Sequence, residues 1–434
     1  MISYYVKQAW ELMKQNKLFT GIYVVGTALA VASTMIMAII YYVKIAPMYP
    51  ENNRANTYFM VNGRFKSTKQ SWMNASMYGY KALQEWFYPL KSAELVSASN
   101  DYYSVALKFF VQLEEGRPDQ NVTVKFTDPA FFQMYEFKFL EGKPFTQEEF
   151  ESGQRRVVIS DNLARIVFHT AENVVGKTFQ MNFVEYQVVG VVHEPSFLMS
   201  ESYAQLYIPY SIIPNYNQPE NNPEYLGSYK VTMLAKDGKA LKAEIEELVR
   251  KYNNSQEDWQ WIVYNQPLSH LTRVFSPYET ENFSWLNIMM LYFGVFIALL
   301  LVPALNLSGM IAGRMETRLA EMGVRKAFGA NRSLLLGQVM WENLILTLVG
   351  GCLGLLIAWA ALYGFRSSLF NLMDLNYRDV MVVTSTQVDA SMFFAPTIFG
   401  ITLLICLLLN MLSALIPAWN SLRHPIVESL NEKR

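Results

Sequence analysis

The stretch Glu321–Ala330, read as EMGVRKAFGA, lies on a short polar link between two long apolar segments and organises the rest of the chain. Charged residues recur through this link at spacings of 4, 3, 4 and 7, namely at Arg314, Arg318, Glu321, Arg325 and Arg332. On a helix these positions share one face, and Gly329 stands where a C-terminal cap is expected. The link therefore predicts a helix of about three turns whose charged stripe faces a partner or water. A positively charged loop that only sets membrane topology is the simpler alternative.

The sequence of the link resembles that of the cytoplasmic loop in the MacB/FtsX-type ABC transporter permeases. In that family the loop has the pattern R-x-x-E-[IM]-G-[IV]-R-[KR]-A-[LF]-G-A. The residues that carry the resemblance are Met315, Glu316, Arg318, Glu321, Met322, Gly323, Val324, Arg325, Lys326, Ala327, Phe328, Gly329 and Ala330. In that family the loop forms a coupling helix that docks into a groove on a separate ATPase subunit. The resemblance assigns the ATPase contact here to Arg318, Glu321, Gly323, Arg325, Lys326, Gly329 and Ala330.

Composition indicates a chain that is part membrane protein and part polar domain. Apolar residues make up 52% of the 434 residues and charged residues 17%, an unusual balance for a soluble protein. The net charge of −1 argues against a nucleic-acid partner, which would require a basic surplus. Cys352 and Cys406 both lie in apolar runs, so a disulfide framework is not expected. The four histidines lack metal-ligand spacing.

Four runs without charge are each long enough to cross a bilayer, which takes about 20 residues. They predict transmembrane helices at residues 18–45, 282–313, 334–365 and 390–419. A cleaved signal peptide competes for the first run, but its apolar core would span only ~7–15 residues, and this run continues well past its small residues. Residues 1–17 predict an amphipathic segment on the cytoplasmic membrane surface.

Between the first two runs, residues 46–281 are polar and contain no run long enough to span a membrane. Strand-like patterns occur at 58–65, 104–113, 121–127, 156–160, 178–183, 187–192, 204–208, 229–235 and 259–264. Helical patterns occur at 78–87, 129–135, 161–168 and 238–251. The segment predicts a mixed α/β half with an inserted β-rich subdomain at about 128–214, and its middle part resembles the extracytoplasmic domain of MacB-type permeases. The fold class is thus α+β, with this domain inserted between transmembrane helices 1 and 2.

Basic residues set the orientation. The link at 314–333 carries five Lys or Arg and residues 1–17 carry three, whereas the loop at 366–389 carries two against three Asp. Because basic residues favour the cytoplasmic side, the link, both termini and the tail at 420–434 are expected in the cytoplasm and the large domain outside. For a permease of this kind the membrane is the bacterial inner membrane.

A phosphate-loop look-alike, AENVVGKT at 171–178, does not predict nucleotide binding. A true phosphate loop follows a buried strand and opens a helix, whereas here a helical pattern precedes the segment and a strand pattern follows it. We expect no cofactor in this chain, with ATP bound by the partner ATPase.

Three glycines in the third span, Gly350, Gly351 and Gly354, predict close packing between membrane helices. The resemblance implies a dimer, either a homodimer or a heterodimer with a related permease, and the glycines are compatible with it.

Two functions remain open at this point. The first is a non-catalytic ABC permease subunit that transmits ATP-driven motion to an extracytoplasmic domain, for export or extraction of a peptide, drug or lipoprotein. A periplasmic adaptor or a lipoprotein carrier would then be a further partner. The alternative is a membrane sensor or regulator whose external domain binds a peptide or activates a cell-wall hydrolase. A stand-alone enzyme is not indicated, since no nucleophile and base stand at a recognisable spacing.

Overall fold

The structure, a computed structural model, describes residues 14, 17–100, 108–113, 118–276, 281–295, 297–298, 324–325, 327–365 and 395–423. The chain divides into two compact units. We call Val43–Phe283 with Asn371–Asp389 the sheet unit, and Met1–Tyr42, Ser284–Phe370 and Ala390–Arg434 the helical unit.

Helices of very different length occur in the two units. In chain order they are α1 Lys17–Ile45, α2 Tyr80–Ala82 (continued by a π-helical turn, Leu83–Phe87), α3 Phe131–Met134, α4 Gln147–Glu151, α5 Asp161–Phe168, α6 Gly238–Ser255, α7 His270–Phe275, α8 Trp285–Val295, α9 Arg332–Gly364 and α10 Pro396–Arg423. Short 3₁₀ turns lie at Arg54–Asn56 and Tyr210–Ile212.

Sixteen strands form one hydrogen-bonded array among the described residues. They are β1 Thr57–Met60, β2 Gly63–Ser67, β3 Met73–Tyr78, β4 Leu95–Asn100, β5 Phe109–Val111, β6 Gln120–Val122, β7 Val124–Thr127, β8 Phe139–Gly142, β9 Arg156–Ser160, β10 Thr178–Met181, β11 Val184–Val192, β12 Leu206–Pro209, β13 Leu226–Gly227, β14 Tyr229–Leu234, β15 Trp259–Ile262 and β16 Leu268–Ser269. The order is β15-β2-β3-β14-β4-β7-β12-β9-β11-β10-β5-β6, with β1 beside β14 and β16, β13 beside β3, and β8 beside β11. Among the strand pairs that the described residues form, β9–β11 and β7–β12 are parallel and the others are antiparallel.

The array has two halves joined by the antiparallel pair β4–β7. Strands β5, β6 and β7 belong to the second half, since β5 pairs with β10 and β7 pairs with β12. The sequence boundary near residue 128 is therefore too late, and the inserted half begins near residue 109. Strand alternation reveals single strands but not partners that lie far away in the chain, which explains the difference.

Local capping defines the short helices of the sheet unit. Helix α4 opens with a capping box in which the Thr146 side chain accepts from the Glu149 amide and the Glu149 carboxylate accepts from the Thr146 amide. The Ser160 hydroxyl accepts from the Leu163 amide at 3.1 Å and opens α5. Helix α6 is capped by Asp237, whose side chain accepts from two amides, and the helix buries Leu241 and Ile245. These caps lie where the 161–168 and 238–251 patterns placed the helix starts.

Three described helices are long and apolar enough to cross a membrane: Thr20–Ile45 within α1, Arg332–Gly364 and Pro396–Leu415. Helix α8 covers the start of the predicted second span, and residues 299–313 lie outside the described residues. A mixed α/β domain together with apolar membrane helices is confirmed, whereas the count of four spans stays a prediction. The predicted segments at 1–13, 366–389 and 424–434 also lie outside the described residues.

A buried carboxylate ties the two halves of the sheet unit together. Asp128 follows β7, and its carboxylate accepts from the Ser97 hydroxyl at 2.7 Å and the Ala98 amide at 2.8 Å, both on β4. It also accepts from the Tyr88 hydroxyl and from the Phe131 amide at the start of α3, each at 3.1 Å. Burial raises the pKa of Asp128 to about 6, although these four donors favour the ionised form.

This pKa predicts a stability change between about pH 4 and pH 6. In that window the folded protein holds a proton that the unfolded chain, with a pKa of 3.8, has released. The free energy of unfolding should therefore fall by about 3 kcal/mol as the pH rises through it. Asp128→Asn should remove this dependence, so that the stability difference between the parent chain and the variant changes across the window in thermal unfolding of the full chain.

The matched control is Glu224→Gln, which alters an exposed carboxylate of the same unit. A constant difference between the parent chain and Asp128→Asn from pH 4 to pH 7 would contradict the assignment.

Candidate functional site

The described end of the polar link is a helix C-terminus. Val324, Arg325 and Ala327 are helical, and Gly329 follows with a φ of 86°. The Ala330 amide donates to the Arg325 carbonyl at 3.0 Å, which is the long bond of a Schellman motif with glycine in the left-handed position. Gly329 therefore caps a helix, at the position where the sequence placed the cap.

A second helix begins immediately afterwards. The Asn331 side chain accepts from the Ser333 amide at 3.3 Å and opens α9. The cap and the new start lie two residues apart, so the turn between the link and α9 is tightly defined by its own hydrogen bonds.

Arg325 connects this turn to the buried face of α9. One of its guanidinium nitrogens (Nη1) donates to the Gln338 Oε1 at 2.7 Å, and the Gln338 Nε2 donates to the Glu342 Oε1 at 3.2 Å. Glu342 is only 4% exposed. A buried carboxylate in an apolar helix is costly unless it is hydrogen-bonded, and here the Gln338 amide supplies a hydrogen bond. We call Arg325, Gln338 and Glu342 the relay.

Polar contacts continue along α9 toward two other helices. The Tyr23 hydroxyl on α1 donates to Asn343 and lies 2.9 Å from the Thr347 hydroxyl. The Asn343 amide donates to the Asn410 carbonyl on α10 at 3.4 Å. Hydrogen bonds between membrane helices contribute roughly 0.6 kcal/mol each on average, and together these hold α1, α9 and α10 in one register.

The three predicted packing glycines lie on the same buried stripe of α9 and contact helices of the same chain. A Cβ on Gly350 would lie 2.8 Å from the Thr27 Cβ, and one on Gly354 would lie 2.6 Å from the Ala28 carbonyl oxygen. A Cβ on Gly351 would lie 2.6 Å from a methyl of Leu403. The glycines thus allow α1 and α10 to approach the α9 backbone closely.

Four of the predicted coupling residues, Arg318, Glu321, Gly323 and Lys326, lie outside the described residues. The structure brings Arg325, Gly329 and Ala330 together in the turn. It also adds residues that the sequence reasoning did not assign to the site. Phe328 is 88% exposed, and Val324 nearby in the chain is half-exposed. An exposed aromatic side chain of this kind is typical of a surface that binds another protein. Gln338 and Glu342 stand one helical turn apart in an apolar run, and that spacing was the available clue to the relay.

Two family models match this chain. The MacB-like periplasmic core domain matches residues 20–251, more than half of the chain, and the FtsX-like permease C-terminal domain matches residues 292–426. The fold is therefore that of a membrane permease with a periplasmic-type domain. The chain belongs to the MacB/FtsX-type ABC permeases, as the wording of the link predicted.

Curated relatives agree with this assignment at low identity. The macrolide export ATP-binding/permease protein MacB 1 of Yersinia pestis bv. Antiqua (strain Antiqua) is 23% identical over 360 residues, which are 81% of this chain and 51% of that protein. The uncharacterized ABC transporter permease YknZ of Bacillus subtilis (strain 168) is 22% identical over 56% of this chain and 57% of that protein. The chain thus spans about half the length of the curated relatives that it matches.

Solved structures of excised domains give weak overall similarity. A permease-protein domain from Porphyromonas gingivalis has a TM-score of 0.35 at 14% identity and covers 55% of this chain and 97% of that domain. The periplasmic region of MacB from Actinobacillus actinomycetemcomitans has a TM-score of 0.31 at 16% identity and covers 48% of this chain and 89% of that region.

The α1–α9 contact predicts a steric effect at Gly354. Gly354→Ala should push α1 away from α9, because the new methyl would meet a backbone oxygen that has no alternative rotamer. We expect a loss of about 1–3 kcal/mol in thermal unfolding of the purified chain. Gly26→Ala is the control, since a Cβ there meets nothing within 4 Å, and it should be neutral or stabilising. Equal effects of the two substitutions would rule out the contact.

The link turn predicts a conformational effect at Gly329. A Cβ at Gly329 and one at Gly337 both meet open space, but only Gly329 has a left-handed backbone. Gly329→Ala should therefore cost about 1–2 kcal/mol, whereas Gly337→Ala in helix α9 should be neutral or gain up to about 1 kcal/mol. Amide hydrogen exchange at Ala330 reports on the turn directly, and unchanged exchange in Gly329→Ala would exclude the Schellman geometry.

Proposed function

We propose that this chain is the permease subunit of an ABC transporter, and that it passes ATP-driven movement of a separate ATPase subunit to an extracytoplasmic sheet unit. The observation that carries the proposal is the turn at the end of the link. There an exposed ring, Phe328, lies three residues from Arg325, whose side chain is hydrogen-bonded into the buried face of α9. A partner pressing on this turn acts on the relay, and through it on the helix that packs against α1 and α10.

The relatives support the class of function. Their names describe ATP-binding/permease proteins for macrolide export and, in Pseudomonas savastanoi pv. phaseolicola (strain 1448A / Race 6), for pyoverdine export. For this chain we propose export or extraction of a peptide, drug or lipoprotein. The permease would act as a homodimer or a heterodimer with a related permease, with a periplasmic adaptor or lipoprotein carrier as a further partner. It would lie in the bacterial inner membrane with both termini in the cytoplasm, and ATP would be bound by the ATPase.

The packing of the three glycines bears on the dimer. They are already occupied by α1 and α10 of the same chain, so we do not assign the seam of the proposed dimer to them.

Purification of the tagged chain from its native cells in mild detergent tests this proposal. A protein with a phosphate loop should co-purify and be identified by mass spectrometry. Phe328→Ala should weaken its retention about tenfold or more, because truncating a central aromatic residue at an interface commonly costs about 2 kcal/mol or more. Phe183→Ala is the matched control, because Phe183 is also exposed but lies in the sheet unit, and retention should not change.

Substitutions in the turn separate docking from topology. Arg325→Glu places an anion beside Glu342 through the shared Gln338, and Gly329→Pro demands a negative φ where the chain has 86°. Both variants should insert in the membrane but lose the ATPase or uncouple its hydrolysis from transport. If no ATPase co-purifies with the parent chain, the link is only a topology signal, and the external domain would then be tested as a sensor.

A further inference from the structure

The last turn of α1, residues 43–45, belongs to the sheet unit, and it is hydrogen-bonded to α7 of the same unit. Side chains of the sheet unit satisfy the carbonyl groups at the end of α1. The Arg54 Nη1 donates to the Val43 and Ala46 carbonyls, each at 2.7 Å. The Nε2 of His270, the first residue of α7, donates to the Lys44 carbonyl at 2.9 Å.

A charged network extends from these contacts into the sheet unit. The Arg54 guanidinium pairs with the Glu51 Oε2 at 2.9 Å, and the two side chains are 4% and 2% exposed. The second oxygen of Glu51 accepts from the Glu201 amide at 3.1 Å and from the Ser202 amide at 3.0 Å. The Glu201 carboxylate is in turn paired with Arg273 of α7 at 2.9 Å and with Lys230 of β14 at 3.0 Å.

The network connects two places in the sheet unit by two routes. One place is the segment where the chain enters the unit, and the other is helix α7, close to where the chain leaves the unit. One route runs directly through His270, and the other runs through Arg54, Glu51, Glu201 and Arg273. Burial and the neighbouring Arg54 charge both lower the pKa of His270, so it is neutral near pH 7 and its Nε2–H is available as a donor. We call Glu51, Arg54, Glu201, His270 and Arg273 the entry–exit cluster.

Buried ion pairs of this kind add little to stability compared with apolar residues of similar volume. What they impose is geometry, since each charge is satisfied only in one arrangement of its partners and breaking any one leaves another charge buried and unpaired. The five ionisable groups of the cluster come from three separate segments, residues 51–54, Glu201 and α7, and their contacts hold these segments in one arrangement. Such an arrangement transmits a displacement of either end rather than absorbing it.

We propose that the entry–exit cluster is the joint through which movement of the membrane helices reaches the sheet unit, so that a displacement of the end of α1 moves α7 and β14 with it. This inference rests on the proposed function, because it presumes that ATP-driven movement arrives at α1.

The experiment is hydrogen exchange on the full chain purified with its ATPase, compared without nucleotide and with ATP plus vanadate. In the parent complex, nucleotide should change exchange in peptides of the sheet unit around residues 43–54, 196–205 and 268–276. In Arg54→Met, which keeps the apolar stem, the ATPase should still be retained but the change in residues 196–205 and 268–276 should disappear. Without nucleotide, peptide 43–54 should also exchange about tenfold faster in this variant, as expected for a lost charged hydrogen bond.

Two further variants keep the inference testable. Arg273→Gln is milder, since this side chain is partly exposed and the Arg54–Glu51 pair remains, and it should abolish the nucleotide effect in 268–276. Lys81→Met is the control because it breaks an exposed pair with Glu224 in the same unit, and it should behave as the parent. If Arg54→Met fails to fold, Arg273→Gln alone decides.

The outcomes separate the two proposals. A nucleotide effect in 196–205 and 268–276 that survives in Arg273→Gln, and in Arg54→Met where it folds, overturns the role of the entry–exit cluster and leaves the proposed function standing. Absence of a co-purifying ATPase, or of any nucleotide effect in the parent complex, overturns the proposed function and this inference with it.

Discussion

A helix cannot satisfy the last carbonyl groups of its own C-terminus, and in this chain the end of α1 meets that constraint with side chains from elsewhere in the sequence. Arg54 and His270 supply the donors, and the positive charge of Arg54 also complements the negative end of the helix dipole. The guanidinium must itself be neutralised because it is buried, which is the role of Glu51. Each further member of the network follows from the same requirement, down to Lys230 on a central strand. The unmet carbonyl groups at the end of α1 thus account for a chain of contacts that reaches the middle of the sheet.

The other end of α1 is held by a different kind of contact. Tyr23 bonds to Asn343 and Thr347, while the small residues that follow it on α1 pack against the glycines of α9. Within a bilayer there is no hydrophobic force between helices, so close van der Waals packing and a few hydrogen bonds must supply the association. About 30 Å of helix separates Tyr23 from Val43 at 1.5 Å per residue. Helix α1 therefore has side-chain hydrogen bonds near both of its ends.

Much of the architecture could be predicted from the sequence, because length and local chemistry determine it. Charge-free runs longer than a bilayer located α1, α9 and α10. The patterns at 156–160 and 161–168 matched β9 and α5 residue for residue, because a short apolar run and a helical periodicity are local signals. Gly329 was identified as a cap for the same reason. The pattern at 58–65 was read as one strand, but the structure has two strands interrupted at Val61 and Asn62. There the Val61 amide donates to the side chain of the distant Gln266 instead of to a neighbouring strand.

What could not be predicted depends on partners that are distant in the chain. The assignment of β5 and β7 to the inserted half follows from pairing with β10 and β12, and no local pattern records those partners. The entry–exit cluster is scattered over more than two hundred residues, and none of its spacings is distinctive. Each member, taken alone, reads as an ordinary surface charge.

The general rule is that a lone charge in a sequence carries no information on burial, whereas a polar residue inside an apolar run does. The burial of Gln338 and Glu342 could for that reason be predicted from the sequence, whereas the burial of Glu51 and Arg54 could not. A sequence pattern can therefore point to the relay residues of the helical unit, whereas the entry–exit cluster of the sheet unit is visible only in the fold.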